Sequence, residues 1–320
     1  IGAWREACKR KSLPGDLPRS NTDPLAGNLR PYGRLPGDEG AYGGRPYDHT
    51  GGRGAAELMD SPGLVDTHAH LMDAAYAPDL TEVLDRARGV GVRAFVVVGY
   101  DLESSEEAIA LASRHPDIWA TVGIHPNRAD VATDAALARI ERMAGAPRVV
   151  AIGECGLDFY RDRTTPDEQR GAFRAQLAIA AAASLPIVVH SREAMAETLQ
   201  MLTVAAPAHG GVMHCFDGTA ADASAAVAAG LCISVAGPIT YRKDPTLAEA
   251  IASVPLSRLM IETDCPYLGP IGFRGQRNEP SRVALVAEAV ARVRGTTLDQ
   301  TLASTTAAAC ALFGIEAARA

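Results

Sequence analysis

Short runs of apolar and β-branched residues recur along the chain from residue 64 onward, and alanine-rich segments separate them. Runs of this length and composition favour β-strands. The pattern predicts eight strands, at residues 64–70, 93–100, 118–126, 148–158, 186–192, 211–217, 231–240 and 258–266.

The segments between the strands place apolar residues at the spacing of an α-helix. Two such series are Phe173, Leu177 and Ala181, and Val283, Val286, Val290 and Val293. The chain therefore predicts strands that alternate with helices.

Two helix starts can be read directly. Thr165 is a candidate N-cap, Pro166 suits the first helical position, and Glu168 completes a capping box. Asp244 and Pro245 repeat the signal of a cap followed by proline.

Alternating strands and helices imply parallel pairing with right-handed crossovers. Eight such units in the 260 residues after residue 60 predict an α/β fold, the (β/α)8 TIM barrel, which typically takes about 250 residues. A doubly wound open sheet is the alternative. It is disfavoured because no glycine-rich phosphate-binding motif follows the first strand.

The first sixty residues differ in composition from the rest. Glycine and proline make up 17 of them, and no apolar periodicity is present. This composition predicts a disordered extension over residues 1–62, followed by a barrel domain over 63–320. Met59, just before the first strand, is a candidate start of the functional polypeptide.

Composition narrows the class of protein. The chain is 47% hydrophobic and 22% charged, and no stretch reaches the roughly 18 apolar residues of a membrane span. We expect no membrane association and no signal peptide. The six scattered cysteines form no CxxC pair, so we expect reduced thiols and a cytoplasmic location.

Charge bears on the partners of the folded part. The first 60 residues contain nine Lys or Arg and eight Asp or Glu, which leaves a net charge of −8 on the rest. A domain of this charge has little long-range attraction for a nucleic-acid duplex.

Residues able to bind metal or phosphate recur at the ends of the predicted strands. In a TIM barrel the carboxyl ends of the strands meet at one face, where active sites are built. A single histidine at such a position is more often structural, but the set predicts one site. Its members are His68 and His70, His125, Glu154 and Asp158, His190 and Arg192, His214, and Asp264.

Strand alternation separates groups that face the site from groups that face away. It places Asp66 beside His68 and Glu262 beside Asp264, where they would orient ligands; Asp158 is assigned the same role. The alternative is that these acids are simply tolerated in a solvated barrel mouth. The same alternation directs three thiols towards the core, those of Cys155, Cys215 and Cys265.

Several short motifs appear in a fixed order. They are DTHAH, VGIHP, GECGLDFY, VVHSREA, HCFDG, ETDCPYL and RGQRNEP. In this order the chain resembles the TatD family of metal-dependent hydrolases, in the branch that carries HxH on the first strand. The resemblance extends from about residue 64 to 316.

The resemblance implies a metal-dependent deoxyribonuclease with two divalent ions, Zn, Mg or Mn, and 3′–5′ exonuclease activity on single-stranded DNA ends. Together with the acidic charge of the folded part, it makes DNA ends or short oligonucleotides the expected partners. Glu154 and Asp264 would be catalytic, Asp264 as proton acceptor. The implied ligands are His68, His70 and Asp264 for one ion, His190 and His214 for the other, and Glu154 as the bridge. The implied phosphate-binding residues are His125, Arg192 and Arg274.

Two other functions stay open at the sequence level. A D-aminoacyl-tRNA deacylase, or another metal-dependent ester or amide hydrolase, would use the same strand-end residues. A non-enzymatic quality-control partner is the third class, but a binding protein needs no bridging carboxylate such as Glu154. No obligate protein partner is inferred.

Overall fold

The computed structural model describes residues 63–317. The extension predicted for residues 1–62, including Met59, lies outside the described residues. So does the end of the predicted barrel domain beyond residue 317.

Eight parallel strands form one sheet in which each strand pairs with the next along the chain. Their bounds are β1 Leu64–Ala69, β2 Val92–Val98, β3 Ile118–Val122, β4 Val149–Asp158, β5 Ile187–Arg192, β6 Gly211–Met213, β7 Leu231–Val235 and β8 Leu259–Ile261. The segment after β8 returns to β1, where His70 N donates to the Cys265 carbonyl at 2.8 Å. This closure confirms the TIM barrel and excludes the open sheet.

Nine α-helices connect the strands and follow the last one within the described residues. They are α1 Leu80–Gly89, α2 Leu102–Arg114, α3 Asp134–Ala144, α4 Pro166–Ala183, α5 Met195–Ala205, α6 Ala220–Ala228, α7 Thr246–Ser253, α8 Val283–Arg294 and α9 Leu298–Phe313. None of the helices in this part of the chain combines the length and apolarity of a bilayer crossing.

Both helices with a predicted start begin within one residue of the predicted position. At α4, the Thr165 hydroxyl accepts the Glu168 N–H and the Glu168 carboxylate accepts the Thr165 N–H, so the capping box is confirmed. Helix α7 begins at Thr246, one residue later than predicted. Asp244 still caps its start by accepting the Thr246 N–H at 3.1 Å.

Two apolar layers stabilise the barrel. The outer layer lies between the strands and the surrounding helices. The inner layer fills the barrel with small and branched side chains, including Val65, Val96, Val150, Val188, Val212 and Met260. Phe313 of α9 packs onto the inner layer, and Thr306 of α9 donates to the Gly63 carbonyl just before β1. Helix α9 thus covers the amino-terminal end of the barrel and leaves the carboxyl end for the site.

Six of the eight strands end earlier than the apolar pattern predicts, and at β3, β6 and β8 the early end leaves a candidate site residue outside the strand. Strand β3 ends at Val122, β6 at Met213 and β8 at Ile261. His125, His214 and Asp264 therefore lie in the connections beyond their strands. Alternation within a strand does not fix where these side chains lie, because it holds only while the backbone stays extended and paired.

Candidate metal centre

Glu154 of β4 lies at the middle of a buried polar cluster in the barrel mouth, and only 3% of the residue is exposed. Its Oε2 atom is 3.4 Å from Nε2 of His68 and 3.9 Å from Nε2 of His70. Asp264 completes this side, with Oδ1 3.4 Å from His70 Nε2 and 3.7 Å from His68 Nε2. One carboxylate oxygen of Glu154 therefore belongs to a group of two imidazoles and a second carboxylate.

The other oxygen of Glu154 faces a different set of histidines. Oε1 is 2.8 Å from His190 Nδ1 and 2.9 Å from His214 Nε2. These two nitrogens are 3.3 Å apart. Glu154 thus stands between two groups of nitrogen and oxygen donors, one at each oxygen.

The hydrogen bonds of His70 show why the first group suits a cation. Its Nδ1 is 2.9 Å from the Val98 carbonyl, which can only accept, so Nδ1 carries the proton and Nε2 presents a lone pair. That lone pair lies 3.3 Å from Nε2 of His68 and faces carboxylate oxygens. Converging lone pairs repel one another unless a positive ion lies among them, so this donor set fits a divalent metal.

His214 is oriented by Glu262, two residues before Asp264 in the chain. Glu262 Oε1 lies 3.2 Å from Nδ1 of His214 and accepts the backbone N–H of Cys215 at 2.7 Å. The same oxygen therefore fixes the ring and the backbone beside it. A carboxylate in this position can hold a histidine ring in the orientation that metal binding requires.

His190 has a comparable neighbour in Asp158. Asp158 Oδ2 is 3.4 Å from His190 Nε2 and accepts from the Asn127 side-chain amide at 2.9 Å. Its Oδ1 accepts the backbone N–H groups of Tyr160 and Arg161 at 3.1 and 3.0 Å. Asn127 has no signal in the sequence beyond its place after the VGIHP motif, so sequence reasoning missed its contribution.

Asp66 lies elsewhere than strand alternation indicates. Its carboxylate accepts the N–H of Thr263 at 2.9 Å and the Thr263 hydroxyl at 2.6 Å, and it contacts no histidine ring. The pairing of β1 with β2 shifts register between Asp66 and Ala69, so alternation is not kept across this stretch. Asp66 joins β1 to the segment that carries Asp264.

Of the three thiols predicted to face the core, two do so and one does not. Cys155 and Cys265 are fully buried in the outer layer, as predicted, although Cys265 lies beyond the end of β8, where alternation no longer applies. Cys215 follows the end of β6, has a positive φ of 44° and is half-buried. Its N–H donates to Glu262 Oε1, so it lies near the centre and not in the core, and burial together with the carboxylates, Asp264 first, raises the pKa of its thiol.

His125 contacts the cluster as a donor. Its Nδ1 accepts the N–H of Asn127 at 3.0 Å, so in the neutral ring the proton is on Nε2. That Nε2 lies 3.4 Å from Glu154 Oε1. An N–H group aimed at an anionic position suits a phosphate contact better than metal ligation.

Arg192 and Arg274 each lie over a tyrosine ring. The Arg192 guanidinium carbon is 3.8 Å from the ring centre of Tyr160, and that of Arg274 is 4.6 Å from the ring centre of Tyr241. No carboxylate in the described part of the chain pairs with either guanidinium group, so both can bind an anion outside the protein.

The pKa values show a centre that holds excess negative charge. Burial alone would raise the pKa of Glu154, but its histidine neighbours, His214 first, hold the pKa well below its usual range. Burial likewise opposes ionisation of Asp264, yet the contact with His70 lowers its pKa. Burial would lower the pKa of His214, but Glu154 and Glu262 raise it well above its usual value. These carboxylates favour a proton on His214, and a metal ion can take the place of such a proton.

Comparison with known proteins gives a consistent assignment. The sequence model of one family, described as TatD related DNase, matches residues 65–314. The Bacillus subtilis protein YabD, named an uncharacterized metal-dependent hydrolase, is 40% identical over 253 residues, which cover 79% of this chain and 99% of YabD. A 3′-5′ ssDNA/RNA exonuclease TatD of Erwinia amylovora is 38% identical over 259 residues, covering 79% of this chain and all of that protein.

A solved structure shares the fold at full domain length. The crystal structure of YJJV, a TatD homolog from Escherichia coli K12, superposes with a TM-score of 0.77 at 29% identity. It covers 79% of this chain and 98% of that one.

Proposed function

This chain belongs to the family of TatD-related DNases and is a metal-dependent hydrolase, and from that premise we propose that it removes nucleotides from the 3′ ends of single-stranded DNA or RNA. The substrate follows relatives such as the Erwinia amylovora protein that is named a 3′-5′ ssDNA/RNA exonuclease. The observation that carries the proposal is the position of Glu154 between two donor groups.

We assign the ligands by the oxygen of Glu154 that each side chain faces. His68, His70 and Asp264 with Oε2 would hold one divalent ion, and His190 and His214 with Oε1 would hold the other. Imidazole and carboxylate donors suit Zn and Mn, and carboxylate donors also suit Mg. When bound, two such ions supply Lewis acidity that stabilises both the attacking and the leaving oxygen of a phosphate and makes water more acidic.

The residues of the chain supply proton transfer and positioning. Asp264 has a lowered pKa and is therefore ionised at neutral pH, so it can accept a proton from the attacking water. His125 can donate its Nε2 proton to a phosphate oxygen. Glu262 and Asp158 hold His214 and His190 in place, which keeps the reacting groups aligned while the substrate binds.

The cations around the site would bind the rest of the substrate. Arg192 and Arg274 present planar guanidinium groups that match two oxygens of one phosphate. With a net charge of −8 after residue 60, the chain has little long-range attraction for a duplex. Local contacts at a strand end fit such a surface.

The test uses single-stranded DNA and RNA oligonucleotides that carry a label at the 5′ end. The purified protein should produce a ladder that shortens stepwise from the 3′ end, and a blocked 3′ end should protect the substrate. A chelator should stop the reaction, and adding back Mg, Mn or Zn should restore it. Internal cleavage of duplex as fast as end cleavage would contradict the proposal.

The same preparation should be assayed on D-aminoacyl-tRNA. Chelator-sensitive release of the amino acid, without any release of nucleotides, would replace the exonuclease by a deacylase on the same metal centre. That outcome would leave the ligand assignment intact but would contradict the proposed substrate.

A further inference from the structure

The loop between β4 and α4, residues 159–165, carries an exposed aromatic ring beside the metal centre. Tyr160 is 46% exposed; within the described residues Val131 and Val204 are the other large apolar side chains exposed to this degree. The Tyr160 hydroxyl forms no hydrogen bond with another described residue. The ring therefore adds little to the buried core and is accessible to a ligand.

Arginine side chains lie over this ring and near it in the same loop. The Arg192 guanidinium lies over it, 3.8 Å from its centre. Arg161 is half-buried, and after burial itself the neighbouring charge of Arg192 is the main cause that lowers its pKa, with a contribution from Arg163. Asp162 in the loop and Asp158 just before it are the nearby carboxylates, so three arginines stand against two carboxylates here.

The loop is held firmly at the level of its backbone. Asp158 Oδ1 accepts the N–H groups of Tyr160 and Arg161, and the Phe159 N–H donates to the Arg192 carbonyl at 2.9 Å. The other oxygen of Asp158 is 3.4 Å from His190 Nε2. One carboxylate therefore fixes both the Tyr160 backbone and a proposed metal ligand, so the distance between these two points is set by the fold.

Building on the function proposed above, we propose that Tyr160 and Arg192 form a platform for the nucleotide next to the one being removed. The Tyr160 ring would stack on its base, and Arg192, with Arg161 close by, would bind the adjoining phosphate. Every base has an aromatic face, so such a platform binds single strands without reading their sequence. Arg192 lies over one face of the ring, so the base would stack on the opposite face, and the guanidinium adds phosphate recognition that an aromatic ring alone lacks.

The first test compares a substrate that has a neighbouring base with one that has none. On a single-stranded oligonucleotide, Tyr160→Ala should raise KM by about 5- to 100-fold, as expected for loss of one stacked base, with a much smaller change in kcat. On bis(4-nitrophenyl) phosphate, which offers no neighbouring nucleotide, the loss should be far smaller. Tyr160→Phe should restore most of the oligonucleotide KM, because the ring and not the hydroxyl does the stacking.

The control variant is Val204→Ala, which trims another exposed apolar side chain, on α5, and should leave both substrates unaffected. Equal losses by Tyr160→Ala on both substrates would mean that Tyr160 only shapes the metal centre. A loss that persists in Tyr160→Phe would also overturn the stacking role.

A second test locates the stacked base. A single abasic position is moved along the oligonucleotide from its 3′ end. At one position the wild-type protein should lose affinity, and Tyr160→Ala should lose nothing further there, because the two changes remove the same contact. Additive losses at every position would refute the platform.

Failure of the exonuclease proposal can be told apart from failure of the platform. If the wild-type protein hydrolyses no nucleic acid, binding of a fluorescein-labelled oligothymidylate in EDTA still tests the platform. Weaker binding by Tyr160→Ala than by Val204→Ala would support it, and equal dissociation constants would overturn it.

Discussion

Nε2 of His214 lies 2.9 Å from Oε1 of Glu154, inside a barrel mouth where almost no surface of either side chain is exposed. The contact joins the residue just after β6 to the middle of β4. At this distance the two atoms can share a proton, or both can bind a metal ion that lies beside them. The following predictions separate these roles.

Glu154→Gln should remove both ions. Each oxygen of the Glu154 carboxylate faces one ligand group, whereas the uncharged amide has a single oxygen and can serve only one of them. We expect hydrolysis to fall by on the order of 100-fold or more. Metal content by mass spectrometry should fall in parallel. Glu107→Gln on the exposed side of α2 is the matched control and should keep both ions and full activity. Retention of both ions by the Glu154 variant would contradict the bridging role.

Two substitutions of Glu262 should differ in their effect. Glu262→Ala removes the acceptor of both the His214 ring and the Cys215 N–H, and it should weaken metal binding by about 10- to 100-fold. Glu262→Gln keeps a carbonyl oxygen in place and should weaken it less. Titration with a competing metal indicator measures both. Equal effects would show that charge, and not orientation, is what Glu262 supplies.

Gly156→Ala should destabilise the barrel, because Gly156 has φ of +139° and a Cβ there would lie 2.0 Å from the His190 carbonyl oxygen. We expect a loss of at least about 2 kcal/mol in the free energy of unfolding. Gly171→Ala is the control: it is helical, with nothing within 4 Å of the new Cβ, and should gain about 0.5–1 kcal/mol. Denaturant unfolding in EDTA keeps metal binding out of the comparison.

Metal removal should lower thermal stability as well as activity. An ion that binds only the folded protein raises the unfolding midpoint in proportion to the logarithm of its concentration above Kd. The midpoint should therefore fall with EDTA and recover with added Mn or Zn. His190→Ala should lose most of this response, whereas Cys155→Ala, a change in the outer layer, should keep it. A lost response in the Cys155 variant would place that thiol among the ligands.

Salt should weaken substrate binding only gently. Each phosphate neutralised on a single strand contributes a slope of about −0.7 in log affinity against log salt. A site that binds phosphate through two ions and a few arginines on an acidic domain neutralises few phosphates, so the slope should be shallow. KM on a short oligonucleotide, measured from low to moderate salt, gives the value. A steep slope would reveal a basic surface beyond Arg192 and Arg274.

Much of the architecture could be predicted from local sequence alone. The eight apolar runs gave eight strands, and the capping box at Thr165 marked the start of α4. These signals are local: a strand or a helix start is written in residues that are neighbours in the chain. The gathering of His68, Glu154 and His190 at one end follows from the same pattern, since parallel strands in a barrel share a carboxyl face.

The tertiary structure alone decided how the donors face one another. Asp264 follows the end of β8 with φ of 54°, and its N–H donates to the His68 carbonyl across the barrel closure at 2.9 Å. Asp66 is turned to Thr263 by a register shift in β1 that no residue pattern announces. The exposure of Tyr160 under Arg192 likewise depends on a loop anchored by Asp158. Alternation describes the side chains of one strand. It cannot predict positions that are set by hydrogen bonds between segments far apart in the sequence.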